Sequence, residues 1–295
     1  MSEPILLKGK PVADSILESV RTGTEKLQAE RGIIPGLAVV LVGDDPASAT
    51  YVGSKERKSK ILGFKSVTHR LPAETSQDEL LQLVQSLNAD PSIHGILVQS
   101  PLPSHIDYNV VTLAIDPQKD VDGFHPVNVG KLVIGLDAPL PCTPSGVIEM
   151  FKYYNIATSG KRAVVVGRSM IVGKPLANLL MQKREGANAI VTVAHSAAED
   201  LAAITREADI LIPAIGRPGY IKADMVKEGA VVIDIGINRV DDPSAAKGYR
   251  VVGDVDFDSV APKCAAITPV PGGVGLMTIA MLMNNTLRSA RGEFG

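Results

Sequence analysis

The chain has 295 residues, is 45% hydrophobic and carries a formal net charge of −2. At about 150 residues per domain, this length predicts two domains, each able to bury a core of its own. The near-neutral charge argues against a nucleic acid as the main partner, because a nucleic-acid backbone calls for a clustered basic surface.

Cysteine usage and apolar runs indicate the cellular setting. Cys142 and Cys264 lie far apart without CxxC spacing, which argues against a disulfide framework and a zinc site and fits a reducing cytosol. The N-terminus shows no basic-then-apolar signal pattern, and no apolar run reaches the ~18 residues of a membrane span. We therefore expect a cytoplasmic protein that needs neither a membrane nor a metal ion.

The first half alternates strand-like and helix-like segments. The run GLAVVLVG from Gly36 predicts a buried strand, and Asp45-Pro46 then opens a helix, with Asp as N-cap and Pro at the first helical position. The strand KSVTHRL, a capping box over Ser76–Glu79 with its helix, and the strand IHGILVQ follow. This alternation predicts parallel strands covered by helices, an α/β fold.

The second half repeats that pattern after a break. The segment Ala138–Pro144 carries three prolines in seven residues, and Thr143-Pro144 predicts the start of a helix that ends near Tyr154. Four apolar strands follow: RAVVVG, AIVTVAH, ADILIPAIG and AVVIDIGI. This second α/β unit ends near Thr268, before a Pro/Gly-rich break and a final apolar helix that must be buried on several faces.

The clearest functional pattern is the turn VVVGRSMIVGKP, which starts at Val164. A pyrophosphate prefers a helix N-terminus with free N–H groups and no obstructing side chain, and Gly167 and Gly173 can supply the tight turn and the close approach. The pattern departs from GxGxxG, because Ser169 replaces the middle glycine. An ordinary βα turn explains the loop equally well in isolation, but the flanking strands and helix favour a dinucleotide site.

The end of the next strand indicates which dinucleotide would bind. Sites for NAD place an acidic residue there, ~20 residues past the turn, to hold the ribose 2′-hydroxyl. This chain has Ala194-His195-Ser196 instead, and Arg168 can add positive charge, so the pattern favours NADP. Glu199 or Asp200, a few residues further on, could still reach the ribose. His195 is equally consistent with a surface histidine without a role and with a residue that contacts the phosphate.

In the first half, Ser48, Tyr51 and Lys55 fall on one stripe of the helix that begins at Pro46. A tyrosine beside a lysine can perform acid/base chemistry if burial or neighbours lower the lysine pKa. Spacing alone favours a solvated helix face, since Lys58 and Lys60 follow.

Two loops could complete such a site. Gln99 ends a strand, where open α/β sheets bind ligands, and as a neutral partner it would orient the Lys55 amine without holding it protonated. The segment KDVDG at Lys119–Gly123 fits a simple turn, or it presents Asp122 as a buried acceptor for the N–H edge of a heterocycle.

Together these motifs resemble the bifunctional methylenetetrahydrofolate dehydrogenase/cyclohydrolase family. The matching segments span nearly the whole chain in order: Tyr51-x3-Lys55, VQ-x-PLP at Val98–Pro103, KDVDG, PCTP at Pro141–Pro144, VVGRS-x-IVGKP at Val165–Pro175, DIGIN at Asp234–Asn238 and TPVPGGVG at Thr268–Gly275.

The resemblance implies two α/β domains around a cleft: a folate-binding catalytic domain over 1–142, on which 270–295 pack, and a Rossmann-type NADP domain over 143–269. It also implies a homodimer joined through the cofactor domains and tetrahydrofolate derivatives as substrates. It assigns Lys55 as general acid/base, with Tyr51 against the folate, Gln99 tuning Lys55 and Asp122 holding the pterin. Ser48 and Pro271-Gly272-Gly273 would line the folate site, and Gly167, Arg168, Ser169, Gly173, His195, Ser196 and Ile237 the NADP site.

The sequence departs from the family pattern at three positions. Ser100 stands where the family usually has Leu, and Leu276 where it often has Pro. Ala197 follows His-Ser where many bacterial members carry Arg, so one possible contact to the 2′-phosphate is missing.

Overall fold

The computed structural model describes residues 3–245 and 248–294. The elements in chain order are β1 (Ile5–Leu6), α1 (Gly9–Arg31), β2 (Gly36–Val42), α2 (Pro46–Ile61), β3 (Lys65–Leu71), α3 (Gln77–Ala89), β4 (Gly95–Val98), α4 (Tyr108–Ala114), α5 (Pro126–Ile134), α6 (Cys142–Tyr153), β5 (Arg162–Val166), α7 (Gly173–Met181), β6 (Ile190–Ala194), α8 (Leu201–Arg206), β7 (Ile210–Pro213), β8 (Val231–Val232), β9 (Asn238–Asp241), β10 (Tyr249–Val252), α9 (Phe257–Val260), β11 (Ala266–Ile267) and α10 (Met277–Arg291).

The chain divides into two compact units. One comprises Ser15–Cys142 and the residues from Ile279 onward, and the other comprises the residues up to Asp14 and Thr143–Thr278. The division differs from the expected one at the N-terminus, because β1 pairs in parallel with β11 and so lies with the second unit. It also differs near the C-terminus, where the chain passes to the first unit at Ile279 rather than at 270.

The first unit is built on a parallel sheet of three strands in the order β3-β2-β4. All of β2 is buried, as the uninterrupted apolar run predicts. The C-terminal helix α10 contributes Met281, Leu282, Met283 and Leu287 to the same apolar cluster as Leu37, Val39 and Leu41. The expected burial of the last helix is therefore confirmed.

The second unit is built on a parallel sheet of six strands in the order β1-β11-β8-β7-β5-β6. Strand β5 lies between β6 and β7 in this sheet. Because the three strands are parallel, the loops that follow them emerge at the same edge of the sheet. The predicted α/β class and parallel sheets are confirmed. The antiparallel pair β9–β10 was not expected from the sequence.

Local signals in the sequence set several element boundaries. The Asp45 carboxylate accepts a hydrogen bond from the Ser48 N–H at 2.7 Å and caps α2, and the predicted capping box at Ser76 and Glu79 is present. The helix expected at Thr143 begins one residue earlier, at Cys142. No helix in the described part of the chain is both long enough and apolar enough to cross a membrane.

The last strand predicted in the second unit, AVVIDIGI, is shorter than expected. Only Val231–Val232 forms a strand, because Asp234 leaves the ladder. Its N–H donates to the Thr268 hydroxyl at 2.8 Å, and its carboxylate accepts from the N–H groups of Gly236, Asp254 and Val255, each at 2.9 Å. These side-chain hydrogen bonds take over on the side that faces β11, whereas the N–H groups of Ile233 and Ile235 still donate to the Leu211 and Pro213 carbonyl oxygens of β7.

Candidate functional site

Lys55 lies on the buried face of α2. Its side chain is only 7% exposed, and it shares this face with Ser48, Val52 and Ser59, which are exposed by 3%, 0% and 0%. The solvated face that spacing alone favours is therefore wrong for Ser48 and Lys55. Tyr51, one turn before Lys55 on α2, is 45% exposed, so its side chain is accessible to a ligand.

Gln99 follows β4 and makes a direct contact with Lys55. The Lys55 Nζ donates to the Gln99 Oε1 at 2.8 Å, and the Gln99 Nε2 donates to the Ser100 carbonyl oxygen at 2.6 Å. The second bond fixes which end of the amide faces the lysine. The amine therefore has a neutral acceptor as its hydrogen-bonded partner, as the sequence predicts.

The environment of Lys55 changes its acidity. Burial lowers the pKa of Lys55, and the nearby Asp122 carboxylate opposes this shift, as does Cys142 to a smaller extent. Burial also raises the pKa of Asp122 to about 6, with Lys55 opposing the shift and Asp120 adding to it. The amine is thus easier to deprotonate than a solvated lysine, which suits acid/base chemistry near neutral pH.

The two acids of KDVDG have different surroundings. Asp120 is 2% exposed, and its carboxylate accepts hydrogen bonds from the Gly123 and His125 N–H groups and from the Asn128 side chain at 2.7–3.1 Å. Within residues 3–245 and 248–294, the Asp122 carboxylate accepts only one long hydrogen bond, of 4.0 Å, from the Cys142 thiol. Asp120 therefore shapes the turn, whereas Asp122 keeps acceptor capacity for a ligand.

Sequence reasoning missed two residues that support this loop. Asp120 could have been recognised as the first residue of an Asp-x-x-Gly turn, whose side chain caps the turn N–H groups. Asn285 of α10, which no local motif marks, donates from Nδ2 to the Val121 and Leu140 carbonyl oxygens, both at 2.9 Å. Cys142 is 3% exposed and packs in the apolar cluster of this unit, and burial raises the pKa of its thiol well above the ordinary value.

The turn after β5 has the geometry that its glycines predict. Gly167 has a φ of +130°, and a Cβ there would overlap the Ala214 carbonyl oxygen. A Cβ on Gly173 would overlap the Gly167 carbonyl oxygen. The Ser169 hydroxyl accepts from the N–H groups of Val172 at 3.2 Å and Gly173 at 3.4 Å, so it closes the turn.

A cavity of about 320 Å³ lies beyond this turn; we call it the strand-end cavity. Its lining comes from the loops after β5, β6 and β7 and from the start of α8: Val166, Gly167, Arg168, His195, Ser196, Leu201, Ala214, Ile215, Arg217 and Tyr220. The structure thus brings four of the predicted residues together. Ser169, Gly173 and Ile237 are not among the lining residues.

Charge in the strand-end cavity is positive. The Arg168 Nη1 lies 3.3 Å from the His195 Nε2, and the described lining includes no Asp or Glu. The nearby acid Asp200 is engaged elsewhere, since its carboxylate caps α8 by accepting from the Ala203 N–H at 2.8 Å. Sequence reasoning missed Arg217 and Tyr220, although the Gly-Arg-Pro-Gly run after a strand could have indicated a ligand loop.

The remaining predicted residues belong to the second unit. Ile237 is 53% exposed and lies against Gly275 of TPVPGGVG. Gly272 accepts a hydrogen bond from the Gly9 N–H at 2.8 Å, and a Cβ on Gly273 would lie 2.6 Å from the Pro269 carbonyl oxygen. Within residues 3–245 and 248–294, no group of three or more His, Cys, Asp or Glu is arranged to hold a metal ion.

Two family models match this arrangement. The catalytic-domain model of tetrahydrofolate dehydrogenase/cyclohydrolase matches residues 7–122, and its NAD(P)-binding-domain model matches residues 141–294. A curated relative, the bifunctional protein FolD of Campylobacter concisus (strain 13826), is 59% identical over 288 residues, 98% of each chain. The chain belongs to the tetrahydrofolate dehydrogenase/cyclohydrolase family. The resemblance inferred from the motifs is confirmed.

Solved structures of this family have the same fold. The FolD enzyme of Campylobacter jejuni is 48% identical, with a TM-score of 0.91 over 98% of this chain and 99% of that one. The Trypanosoma brucei enzyme, solved with NADP cofactor and an inhibitor, is 41% identical, with a TM-score of 0.92 over 99% of both chains. The catalytic-domain match contains Lys55, Gln99 and Asp122, and the NAD(P)-binding match contains the strand-end cavity.

Proposed function

We propose that this chain is a bifunctional enzyme of one-carbon metabolism. It oxidises 5,10-methylenetetrahydrofolate to 5,10-methenyltetrahydrofolate with NADP⁺ and then hydrolyses the product to 10-formyltetrahydrofolate. The observation that carries this proposal is the buried Lys55 amine, held 2.8 Å from the neutral Gln99 amide in the catalytic domain of the family. A dehydrogenase alone would not need such a base.

The strand-end cavity and the glycine turn beside it together support binding of an NADP dinucleotide. Gly167 and Gly173 leave two points of the turn before α7 without a side chain, so a pyrophosphate can approach the backbone closely there. Arg168 and Ser196 would hold the 2′-phosphate, with His195 beside Arg168. Ser169 would act by closing the turn, and Ile237 would contact the cofactor. The bound cofactor supplies a hydride acceptor.

In the first step, the oxidation, the protein mainly aligns the folate for hydride transfer. The bridging carbon of the folate loses a hydride, and the lone pair of the adjacent folate nitrogen stabilises the resulting cation. No protein base takes part in that transfer, so the residues contribute by orienting the folate. Asp122 would accept hydrogen bonds from the N–H edge of the pterin, and Tyr51 would pack against the folate rings. Ser48 and Pro271-Gly272-Gly273 would line the folate site.

The second step needs a group that can both take up and return a proton. Water adds to the methenyl carbon, and the neutral Lys55 amine accepts a proton from that water. The carbon–nitrogen bond to the departing folate nitrogen then breaks, and the Lys55 ammonium returns the proton to that nitrogen. The proton of the added hydroxyl is released to solvent as the formyl carbonyl forms, so the hydrolysis yields one proton overall. The lowered pKa of Lys55 supports this cycle, because burial makes the neutral amine easier to form than in a solvated lysine.

The proposal is tested by mixing the protein with methylenetetrahydrofolate and NADP⁺ and following methenyl absorbance. We expect the absorbance to rise and then decay faster than methenyltetrahydrofolate decays in buffer. A rise followed by decay at the buffer rate would indicate a dehydrogenase without cyclohydrolase activity. No rise at all would indicate a different dehydrogenase or a binding protein, and would contradict the proposal.

We further propose a cytoplasmic homodimer joined through the cofactor domains. Strand β6 is an edge strand, with β5 as its neighbour, and its side chains Ile190 and Val193 are 63% and 42% exposed. Such an apolar edge supports association with a second copy. Light scattering should give twice the 31.1 kDa chain mass, and Ile190→Asp should shift it toward the monomer. Neither proposed reaction requires a metal ion, a nucleic acid or a membrane.

A further inference from the structure

The loop after β7 places a second arginine in the strand-end cavity. Arg217 lines the cavity together with Arg168, and the two residues come from loops that follow neighbouring strands of the sheet. Among the described residues, neither arginine side chain forms an ion pair with an Asp or Glu. The cavity is therefore lined by two arginines for which the described part of the chain supplies no ion-pair partner.

The backbone that carries Arg217 is held by a buried acid. Asp254 is 0% exposed, and its carboxylate accepts hydrogen bonds from the N–H groups of Ile215 at 2.7 Å, Gly216 at 3.0 Å and Arg217 at 2.8 Å. The same carboxylate accepts from the Asn238 side chain at 2.9 Å. Because one carboxylate accepts from three successive N–H groups, the protein itself holds the backbone of this loop in place.

The side chain of Arg217 is also oriented in advance. Its guanidinium carbon lies 5.2 Å from the centre of the Tyr220 ring, a cation–π contact that limits the conformations of a long exposed side chain. A planar guanidinium that is held in place but not paired with an acid is suited to binding a phosphate through two N–H groups.

We propose that Arg217 is a second specificity residue for the cofactor, holding the 2′-phosphate of NADP together with Arg168. This inference rests on the proposed NADP-dependent function and deepens it. It also supplies the positive charge that the sequence lacks at Ala197. Asp254 acts as a positioning residue, because it reaches the phosphate only through the loop that carries Arg217.

The test measures binding of two cofactor fragments, 2′,5′-ADP and 5′-AMP, to the full-length protein by calorimetry. The fragments share adenine, ribose and 5′-phosphate and differ only in the 2′-phosphate. Arg217→Gln should weaken 2′,5′-ADP at least about tenfold, as loss of a charge-assisted hydrogen bond does, and 5′-AMP less than about twofold. Arg217→Lys should lie between Arg217→Gln and the wild type.

A matched control comes from the β9–β10 hairpin. Arg239 lies 4.9 Å from the centre of the Tyr249 ring, in the same kind of contact, but does not line the cavity, so Arg239→Gln should change neither affinity. Equal loss of both fragments in Arg217→Gln, or no loss, would overturn the inference while leaving NADP preference intact. Equal binding of both fragments by the wild type would instead overturn the proposed NADP preference itself.

Discussion

The Nζ of Lys55 lies 2.8 Å from the Oε1 of Gln99, and the amide is held in that orientation by its bond to the Ser100 carbonyl oxygen. A neutral acceptor orients the amine but adds no negative charge. The pKa of Lys55 therefore stays low through burial, with Asp122 as the main opposing charge. An amide at position 99 thus leaves burial as the main influence on the pKa of Lys55.

Gln99→Glu should reduce cyclohydrolase activity by placing a second carboxylate beside Lys55. An adjacent negative charge favours the ammonium form, so the pKa of Lys55 rises and the neutral amine is populated only at higher pH. The pH–rate profile of methenyl hydrolysis should shift toward alkaline values, with activity partly recovered at high pH. An unchanged profile would mean that Gln99 does not tune the lysine.

Asp122→Asn and Asp120→Asn should separate ligand binding from loop structure. The Asp122 variant should bind folate substrate more weakly, seen as a raised KM, with little change in Tm. The Asp120 variant should lower Tm, because one acceptor oxygen is lost from a buried carboxylate that serves three donors, at a cost of about 1–3 kcal/mol for each donor left unsatisfied. A lowered Tm in the Asp122 variant together with a raised KM in the Asp120 variant would contradict this assignment of the two acids.

The pKa of Asp122 also predicts a pH dependence of substrate affinity. Since burial raises this pKa to about 6, the carboxylate is populated above that value and protonated below it. A protonated Asp122 loses acceptor capacity, so KM for the folate should rise as pH falls through about 6. Asp122→Asn should remove this dependence, and a wild-type KM that stays constant from pH 7.5 to 5 would contradict the assignment.

Local sequence signals predicted much of the fold but less of the site. The N-cap at Asp45, the capping box at Ser76 and the glycine turn at Gly167 depend on neighbours in the chain, so their patterns were sufficient. The burial of Lys55 depends on the residues that pack against α2, whereas spacing alone predicted a solvated helix face. The bonds from Asn285 to Val121 and Leu140 join segments more than 140 residues apart, which no local pattern reveals.

Gly173→Ala should weaken NADP binding at least tenfold, because the added Cβ overlaps the Gly167 carbonyl oxygen and displaces the turn that faces the pyrophosphate. Gly130→Ala is a suitable control, since a Cβ there meets nothing within 4 Å on helix α5. Fluorescence titration with NADPH measures both variants. Equal affinity in the two variants would show that the turn does not carry the dinucleotide.

Arg168→Ala should weaken NADP more than NAD, because the 2′-phosphate is the group that differs between them. The expected loss for NADP is about tenfold or more, as for a hydrogen bond to a charged group, with a much smaller change for NAD. Apparent KM values for both cofactors in the dehydrogenase reaction give the comparison. Equal losses would mean that Arg168 contacts a part that the two cofactors share.

The most direct test of the account is the effect of Lys55→Met on the two reactions measured separately, with the exposed Lys60→Met on the same helix as control. The lysine variant should lose cyclohydrolase activity, so that methenyltetrahydrofolate decays at the buffer rate, while dehydrogenase activity falls much less. The Lys60 variant should retain both activities. Cyclohydrolase turnover near the wild-type rate in Lys55→Met would contradict the assignment of Lys55 as the acid/base of the hydrolysis.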